Sequence, residues 1–471
     1  MRVYNDLTRQ KEELRPQVEG KIQIYVCGPT VYDYFHLGNA RPFVVYDTLR
    51  RYLEYRGYEV EYVQNFTDIE DKIITRAKVE GITPKELSER MIVEYFKDAD
   101  GLNIKRATVH PKATETIPEI IDLISDLFDN GYAYTNDDGV YFDIAKFPDY
   151  GKLSRHSLED LEEGASHRLA EDRQKRNPFD FVLWKFQKDG EVSWPSPWGD
   201  GRPGWHIECS AMSRKHLGKT IDIHCGGQDL IFPHHENEIA QSEAANGVPF
   251  VNYWLHNGFI NVDNEKMAKS AGNFFRVRDL VEKYSYELLR FFILQPHYRM
   301  PINFSAELLD AAEHGWERIK TCVANLDFLL EQDVEAEDQE LSASLAAATA
   351  EARENFIKAM DDDLNTAEAF AAIFELVREV NTLVAKGQVG KSELSEARAM
   401  IQELLGVLGL SAAVESTEIS AEVLAKLEAR QSAKEAKNWA EADRLRDEIL
   451  AAGFRVEDTA QGPKLVPVEA E

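Results

Sequence analysis

The sequence contains few cysteine residues. Only four occur in 471 residues, and none belongs to a C-x-x-C pair; they are Cys27, Cys209, Cys225 and Cys322. A small disulfide-stabilised scaffold is therefore excluded, because such scaffolds concentrate cysteine in a short chain. The four cysteines remain candidates for metal ligation, for catalysis or for simple burial.

Long apolar runs are also missing. No stretch reaches the roughly 20 residues that a membrane-spanning helix needs, and the opening MRVYNDLTRQKEEL lacks the apolar core of a signal peptide. With 44% hydrophobic and 29% charged residues, the composition is ordinary for a globular protein. We therefore expect a cytoplasmic protein.

Basic residues are scarce relative to acidic ones. Lysine and arginine together number 54 against 83 acidic residues, which gives a net charge of -29. This balance argues against non-specific nucleic-acid binding through a globally basic surface, since such binding depends on cations that neutralise phosphates. An RNA partner held by a local basic patch is still compatible with this charge.

The order of the predicted elements is that of an α/β fold followed by helices. Strands and helices alternate first, as in a parallel nucleotide-binding sheet, and a hairpin pattern with a cluster of Pro and Gly indicates an insertion. Helical periodicity dominates the last third. The predicted segments are 1–115 and 201–262 for the two halves of a Rossmann-like catalytic domain, 116–200 for the insertion, 263–305 for a loop region, 306–410 for an α-helical bundle and 411–471 for a small C-terminal domain.

The stretch Lys21–Asn39 organises the first half of the sheet. A strand pattern, KIQIYV, ends at CGP, and an aromatic loop then leads to HLGN and a helical pattern. Asn39 is the expected N-cap of this helix and Gly57 its expected end. The junction suits a phosphate, because a helix N-terminus directs N–H groups and a positive dipole end at the space above the strand. His36 and Asn39 would both face that space.

A metal site is the first candidate for chemistry. His234 and Glu238 are four residues apart on a helix predicted over Phe232–Asn246, so they share a face. With Cys27 and Cys209 they would supply two thiolates, one imidazole and one carboxylate, a set that suits tetrahedral Zn²⁺. Each residue alone is equally typical of a packed core or a polar helix start. On spacing, the competing ligands His206, His224, His235 and Cys225 also remain open.

Two further patterns suit a nucleotide. Lys266 and Lys269 lie in a loop after a strand predicted over Tyr253–Val262, where two ammonium groups could neutralise a polyphosphate. The run Gly226–Asp229 follows another strand and would allow close approach of a ligand and a carboxylate contact to ribose. Each alone is also typical of an ordinary polar turn. Together they would gather on the carboxyl edge of one parallel sheet, where such folds bind nucleotides.

These motifs together resemble the cysteinyl-tRNA synthetase family of class I aminoacyl-tRNA synthetases, along nearly the whole chain. HLGN at 36–39 resembles the HIGH signature, and KMAKS at 266–270 resembles KMSKS. FPHHENE at 232–238 and GWHIECS at 204–210 resemble segments of the cysteine enzyme itself. Two positions depart from the signatures. Asn39 can donate a hydrogen bond but cannot be cationic, and Ala268 lacks the hydroxyl of the central serine.

The resemblance implies an enzyme that joins L-cysteine to tRNA(Cys) through a cysteinyl-adenylate, with ATP and Mg²⁺ as substrate. It selects Cys27, Cys209, His234 and Glu238 as ligands of one zinc ion that binds the thiolate of the substrate. Zinc favours a soft thiolate over a hydroxyl. Cysteine and serine differ little in size, so a metal–sulfur bond would discriminate between them where shape alone does so poorly.

The resemblance also assigns roles to individual residues. The catalytic residues, acting by charge stabilisation, would be His36, Asn39, Lys266 and Lys269. ATP would contact His36, Asn39, Gly227, Asp229 and Lys269. The pocket for the cysteine side chain would be formed by Cys27, Trp205 and Cys209, although Trp205 is equally compatible with core packing.

For the C-terminal half the resemblance implies tRNA contacts. Segment 263–305 would reach the acceptor stem, and 411–471 would bind the anticodon through Lys434, Asp443 and Asp458, with Trp439 stacking. Carboxylates suit a G-C-A anticodon, because cytosine N4 and the Watson–Crick edge of guanine present donors. The family often has Arg at the position of Lys434. An acidic hairpin without base contacts is the simpler interpretation of this segment, and we expect a monomer.

Two other functions fit parts of the sequence. A cysteine ligase of mycothiol biosynthesis shares the activation site but transfers cysteine to an amino sugar; the helical and VED-containing segment 421–471 favours the synthetase. A catalytically silent paralogue would bind zinc or nucleotide only as an interaction protein. The presence of His36, both signature lysines and all four candidate ligands argues against it.

Overall fold

The structure is a computed structural model and describes residues 1–156, 175–188, 190–262, 265–266, 274–332, 338–412, 420–459 and 462–467. The chain divides into two units. The first contains Met1–Glu313, Phe356–Phe370 and Gly406–Leu410, and the second contains His314–Asn355, Ala371–Leu405 and Ser411–Glu471.

A four-stranded parallel sheet forms the centre of the first unit. Its strands, in the order β10-β9-β3-β4, are β3 (Lys21–Val26), β4 (Glu59–Gln64), β9 (Ile221–Gly227) and β10 (Val251–Asn257). Strand β3 pairs with β4 on one side and with β9 on the other, so the strand order reverses there. In open α/β sheets ligands bind at the carboxyl edge of such a switch point. The predicted α/β fold class is confirmed.

Helix α1 (Leu37–Tyr55) connects β3 to β4 and begins earlier than predicted. His36, not Asn39, is its N-cap: the His36 Nδ1 atom accepts a hydrogen bond from the backbone N–H of Asn39 at 3.2 Å. The expected N-cap was wrong by three residues, because an imidazole nitrogen replaces the usual side-chain oxygen. Gly57 follows the helix with a φ of +89°, as the prediction of a glycine stop requires.

The predicted insertion, 116–200, contains three strands of an antiparallel sheet, and the fourth strand lies just beyond its predicted end. Helices α2 (Asp71–Glu80) and α3 (Pro84–Gly101) lead to α4 (Ile117–Asp129), and the sheet follows. Its strands are β5 (Ala133–Thr135), β6 (Gly139–Phe142), β7 (Phe181–Phe186) and β8 (Gly201–Pro203), paired in that order. The hairpin expected around Asn136–Gly139 is the β5–β6 connection.

The second half of the parallel sheet departs from the prediction in two places. After α5 (Trp205–Leu217), helix α6 covers Glu236–Asn246 and not Phe232–Asn246, because Phe232 has non-helical dihedral angles of -136° and 133°. The single strand predicted over Tyr253–Val262 is two strands. Strand β10 ends at Asn257, opposite Gly227, and the chain then leaves the parallel sheet.

The segment after β10 joins a second, three-stranded sheet. The backbone N–H of Gly258 donates to the carbonyl of Tyr298 at 2.9 Å, and this contact redirects the chain. The strands are β11 (Ile260–Val262), β12 (Glu265–Lys266) and β13 (Ile302–Phe304), in the order β12-β11-β13. This unit also contains the hairpin of β1 (Arg2–Asn5) and β2 (Gln10–Glu13), the short helix α7 (Val277–Leu280), α8 (Tyr286–Leu294) and four short helical turns, at Ala113–Glu115, Ile144–Lys146, Gln228–Leu230 and Ile231–His235.

After β13, the described residues are mainly helical up to the last segment. The long helices are α9 (Ala306–Glu331), α10 (Gln339–Asp361), α11 (Thr366–Lys386) and α12 (Lys391–Val407), and the shorter α13 (Ala421–Glu435) and α14 (Trp439–Ala451) follow. The predicted helical bundle is confirmed. The tail, for which no strand was predicted, forms an antiparallel hairpin of β14 (Phe454–Thr459) and β15 (Gly462–Pro467). Val423, Ile449 and Phe454 form the small core of this last segment.

None of the helices in the described part of the chain combines the length and the apolar character that crossing a bilayer requires.

Candidate active site and metal centre

A cavity of about 330 Å³ opens at the carboxyl edge of the parallel sheet. Its walls come from the loop after β3, the start of α1, the end of β9 and the turn from β10 into β11. Of the residues assigned from the sequence, those that line it are Cys27, His36, Asn39, Trp205, Gly227 and Asp229. The structure therefore brings together, in one cavity, motifs that are up to about two hundred residues apart in the chain.

His36 and Asn39 lie side by side at the start of α1. Both line the cavity, and the ring of His36 also contacts the ring of Phe274 at a centroid distance of 4.8 Å. Because His36 caps the helix, its imidazole is held by the helix end. The backbone N–H of Asn39 donates to His36 and that of Leu37 to the carbonyl of Phe275, so it is the side chains and the positive end of the helix dipole that the cavity receives. The arrangement is suited to an anionic ligand such as a phosphate.

The four candidate metal ligands form a buried cluster beside this cavity. One ligand atom from each of Cys27, Cys209, His234 and Glu238 lies within 4.8 Å of the others. The two sulfur atoms are 3.9 Å apart, and the Glu238 Oε1 atom lies 3.0 Å from His234 Nε2 and 3.6 Å from the Cys27 sulfur. Two soft sulfurs, a nitrogen and an oxygen, all buried, match the donors that zinc binds in proteins.

Without a metal, the electrostatics of the cluster favour an ionised Glu238 and a protonated His234, and His234 must lose its proton to bind a metal. Burial opposes ionisation of Glu238, but the imidazoles of His224 and His234 lower the pKa of its carboxyl to about 2. Burial likewise opposes protonation of His234, but the Glu238 carboxylate and the Cys209 sulfur raise its pKa to about 10. A hydrogen bond from Cys27 lowers the pKa of the Cys209 thiol, whereas burial raises that of Cys27. In the metal-free cluster Glu238 is therefore held as a carboxylate and His234 as an imidazolium, and the thiol of Cys209 ionises more readily than that of Cys27.

A second set of residues overlaps with this cluster. Cys27, His224, His235 and Glu238 also place ligand atoms within 4.8 Å of one another. His224 Nε2 lies 2.9 Å from Glu238 Oε2, and His235 Nε2 lies 3.3 Å from the Cys27 sulfur. Of the competing ligands that the sequence left open, His224 and His235 are thus close enough to support the cluster, whereas Cys225 belongs to neither set.

Other polar contacts of the cluster were not predicted. His235 Nδ1 lies 2.8 Å from His256 Nε2, and His256 Nδ1 lies 2.7 Å from the carboxylate of Asp6. The amide oxygen of Asn65, at the end of β4, accepts the backbone N–H of Gly28 at 2.9 Å. No local sequence pattern identifies Asp6, Asn65 or His256 as neighbours of the cluster. They reach the carboxyl edge of the parallel sheet only through strand pairing and the packing of the N-terminal segment.

Trp205 forms part of the wall between the cluster and the cavity. Its ring stacks on that of His234 with centroids 4.3 Å apart, and 39% of the residue is exposed. His206 Nδ1 lies 2.9 Å from His234 Nδ1 on the other side. Trp205 is therefore placed both to orient an imidazole and to contact a bound molecule.

The two signature lysines are only partly covered by the described residues. Lys266 belongs to β12, where its backbone pairs with Asn261 of β11. Lys269 lies outside the described residues. Their assignment to the phosphates stays a prediction.

The residues predicted to bind an anticodon lie on the surface of the last segment. Lys434 and Arg430 both contact the Asp458 carboxylate, Lys434 at 2.9 Å and Arg430 through two bonds of 2.9 and 3.0 Å. These two cations lower the pKa of Asp458. Asp443 lies 3.4 Å from Arg446, and Trp439 is 60% exposed. Arg430 is the member of this group that sequence reasoning missed.

Comparisons with protein families cover nearly the whole chain. Residues 13–314 match the model of the class I (C) tRNA synthetase catalytic domain, 355–413 match a DALR domain, and 416–462 match the cysteinyl-tRNA ligase anticodon binding domain.

Individual relatives agree with these matches. The cysteine–tRNA ligase of Caldicellulosiruptor saccharolyticus is 56% identical over 467 residues, which cover 99% of each chain. The cysteine–tRNA ligase of Symbiobacterium thermophilum is 54% identical and covers 98% of each.

Solved structures share the fold at low sequence identity. The Mycobacterium tuberculosis methionyl-tRNA synthetase in complex with methionyl-adenylate has a TM-score of 0.59 at 15% identity and covers 82% of this chain and 89% of its own. A LeuRS from Agrobacterium radiobacter in a ternary complex with tRNA and LeuAMS has a TM-score of 0.62 at 12% identity and covers 84% of this chain and 85% of its own. At this level of identity the likeness extends to the fold alone.

Proposed function

Because the chain belongs to the cysteine–tRNA ligase family of class I synthetases, we propose that it activates L-cysteine with ATP and transfers it to tRNA(Cys) through a cysteinyl-adenylate. The observation that carries the proposal is the buried cluster of Cys27, Cys209, His234 and Glu238 beside a cavity lined by His36 and Asn39. A thiol-selective site next to a phosphate site is what the activation of cysteine requires.

The donor set fits a zinc ion held by those four residues. Two thiol sulfurs, an imidazole nitrogen and a carboxylate oxygen suit zinc, whereas magnesium and calcium prefer oxygen ligands. When bound, zinc would supply a soft Lewis acid that prefers the thiolate of cysteine to the hydroxyl of serine. Trp205 would close the pocket around the short side chain, and His224 would hold the Glu238 carboxylate in place.

In the first step a carboxylate oxygen of cysteine attacks the α-phosphorus of Mg²⁺–ATP. A bond forms between that oxygen and phosphorus, and the bond to the bridging oxygen breaks, which releases pyrophosphate. His36, Asn39 and the positive end of the α1 dipole stabilise the charge that develops on the phosphates, and Lys266 and Lys269 act on the same charge. No residue acts as a nucleophile, so the rate depends on positioning and electrostatics.

In the second step a ribose hydroxyl of the terminal adenosine of the tRNA attacks the carbonyl carbon of the adenylate. The new ester bond replaces the bond to the phosphate, and AMP leaves. Gly227 and Asp229 contact the adenosine of ATP in the first step and that of the adenylate in the second, since a glycine allows close approach and a carboxylate accepts from ribose hydroxyls. In the last segment of the chain, Lys434, Asp443 and Asp458 read the anticodon.

The test is ATP–pyrophosphate exchange with cysteine and with serine, before and after removal of zinc with a chelator. We expect exchange that needs both cysteine and zinc and that serine does not support. Absence of exchange in folded, zinc-loaded protein would favour a silent paralogue. Exchange that survives removal of zinc would leave an activating enzyme but would contradict the thiolate-selective role of the metal.

A second assay separates the two acceptors. Charging of tRNA(Cys) is expected, whereas transfer to an amino sugar in place of tRNA would indicate the mycothiol ligase. The match of residues 416–462 to an anticodon-binding domain supports the tRNA acceptor.

A further inference from the structure

Arg41 is a fully buried cation with no role in the reaction described above. It lies on α1, two residues beyond Asn39, and it has 0% exposure. Its guanidinium donates to the carbonyl oxygens of Phe259 at 2.7 Å, Tyr298 at 3.0 Å and Met300. One side chain of the helix that carries the HIGH-like motif thus binds two separate backbone segments.

Both of these segments form part of the reaction cavity or lead to it. Residues 257–260 line the same cavity as His36 and Asn39 at the start of α1. Phe259 directly precedes β11, whose Asn261 pairs with Lys266 of β12. Met300 lies two residues before β13, the other neighbour of β11.

The two segments approach each other unusually closely where Arg41 binds them. A Cβ atom at Gly258 would lie 2.7 Å from the carbonyl oxygen of Met300 and 2.8 Å from that of Arg299. The carbonyl oxygen of Phe259 also accepts the backbone N–H of Ile302 at 2.9 Å. Arg41 therefore binds the point at which the chain leaves the parallel sheet and enters the second sheet.

Burial of the Arg41 guanidinium costs more free energy than a purely structural arginine requires. No carboxylate of the described residues neutralises Arg41, and burial lowers its pKa to about 10, so it is still a cation at neutral pH. By contrast Arg290, which is equally buried, binds the carboxylate of Asp47 at 2.6 Å in addition to three carbonyl oxygens. Burying a cation without a neutralising carboxylate costs desolvation free energy. We therefore take the geometry of this contact as a sign that it has a function.

We propose that Arg41 is a positioning residue for cysteine activation: it fixes the cavity wall 257–260 and the start of β11 at the distance from His36 and Asn39 that the phosphates of ATP require. The planar guanidinium can reach three carbonyl oxygens on two segments at once, whereas the ammonium of a lysine is a compact donor that cannot span them. The inference rests on the proposed function, since the role concerns ATP.

The experiment compares Arg41→Lys with Arg290→Lys in the full-length, zinc-loaded protein. The readouts are kcat, KM for ATP and KM for cysteine in ATP–pyrophosphate exchange, together with zinc content and the melting temperature. We expect Arg41→Lys to lower kcat about 10- to 100-fold, the loss typical of a displacement near 1 Å, with zinc content and KM for cysteine within about twofold of wild type. We expect Arg290→Lys to lower the melting temperature while kcat, measured well below that temperature, stays within about twofold.

Gly258→Ala provides a second test that keeps Arg41. Its new methyl group would push the carbonyl oxygens of Arg299 and Met300 away and should give the same pattern: a lower kcat with an unchanged KM for cysteine. Wild-type kcat in Arg41→Lys, or a loss of kcat equal to that in Arg290→Lys at equal loss of stability, would overturn the positioning role. Lack of cysteine-dependent exchange in the wild type would instead overturn the proposed function. If Arg41→Lys does not fold, Gly258→Ala decides between the outcomes.

Discussion

The metal-ligand cluster and the C-terminal segment both hold a carboxylate between basic groups, but they do so in opposite environments. Glu238 has 0% exposure, and its two oxygens are bound by His224 and His234. The side chain of Asp458 is 46% exposed and is bound by Arg430 and Lys434. The two histidines bound to Glu238 lie 14 and 4 residues away in the chain, and its contact with Cys27 spans 211 residues, whereas the Arg430–Asp458 pair spans 28.

The difference indicates where single substitutions should matter most. A buried polar group that loses its partner retains the full cost of desolvation, so each member of the cluster depends on the others. Exposed ion pairs contribute little, since water and salt replace the partner. Single substitutions in the buried cluster should therefore lower zinc affinity and activity strongly. In the surface segment they should lower activity only where the side chain contacts RNA.

Cys209→Ser should have the largest effect. The hydroxyl is a poor zinc ligand, so zinc affinity should fall by more than the roughly 10- to 100-fold that loss of an outer contact costs, and cysteine-dependent exchange should be lost with it. Zinc content and exchange are measured on the same sample. Cys322→Ser is the matched control, because Cys322 is equally buried but lies on α9, in the other unit. Full zinc content in Cys209→Ser would remove this residue from the ligand set.

His224→Gln should have an intermediate effect. It removes the imidazole that lies 2.9 Å from Glu238 Oε2 while leaving all four proposed ligands in place. We expect zinc affinity to fall about 10- to 100-fold, as for other residues that orient metal ligands. Competition with a chromophoric chelator measures this affinity. An unchanged affinity would show that burial alone holds the Glu238 carboxylate.

Trp439→Ala should have a smaller effect, confined to the transfer to tRNA. If the exposed indole stacks on a base, kcat/KM for tRNA should fall about tenfold, within the range of about 1–3 kcal/mol per stacked base, while pyrophosphate exchange is unchanged. Leu450→Ala is the control on the same helix, since Leu450 is 49% exposed and Trp439 60%. Equal losses in both variants would argue against stacking and would break the contrast between the two regions.

The pH dependence of stability should show the smallest effect. Burial lowers the pKa of His110 to about 4, and its neutral form accepts the backbone N–H of Ala107 and contacts the carbonyl of Gln64, each at 3.0 Å. Since the unfolded pKa is about 6.5, the unfolded state binds the proton first. The stability that neutral His110 contributes to the folded protein is complete above pH 6.5 and is lost as the pH falls toward 4. Asp458, whose pKa is lowered, contributes stability that is lost only below the carboxyl pKa of about 3.9 in the unfolded chain.

His110→Gln tests this contribution by removing the titrating group. The stability difference between wild type and variant should shrink by about 1–2 kcal/mol between pH 7 and pH 5, in unfolding followed with denaturant. A difference that is constant over this range would mean that His110 is not held neutral in the folded protein.

Much of the fold follows from local sequence patterns. The alternation of strands and helices, the β5–β6 hairpin and the long helices of 306–410 were predicted, because burial of one face imposes a period that the sequence displays. The errors occur where distant residues decide. The strand predicted over Tyr253–Val262 divides because Gly258 pairs with Tyr298, and the N-cap of α1 is His36 because its imidazole binds the N–H of Asn39.

The sequence by itself determined the kinds of atoms available to the site: two thiols, an imidazole and a carboxylate for a metal, and a helix start with His36 and Asn39 for phosphate. It could not rank these ligands against His224 and His235, since residue type and spacing were equally good for them. Only the tertiary structure brought His224 and Cys27 within reach of Glu238, and only strand pairing brought Phe259, Tyr298 and Met300 around Arg41. The physical reason is that the sequence specifies the functional group of each side chain, whereas the distances between these groups are set by the packing of segments that are far apart in the chain.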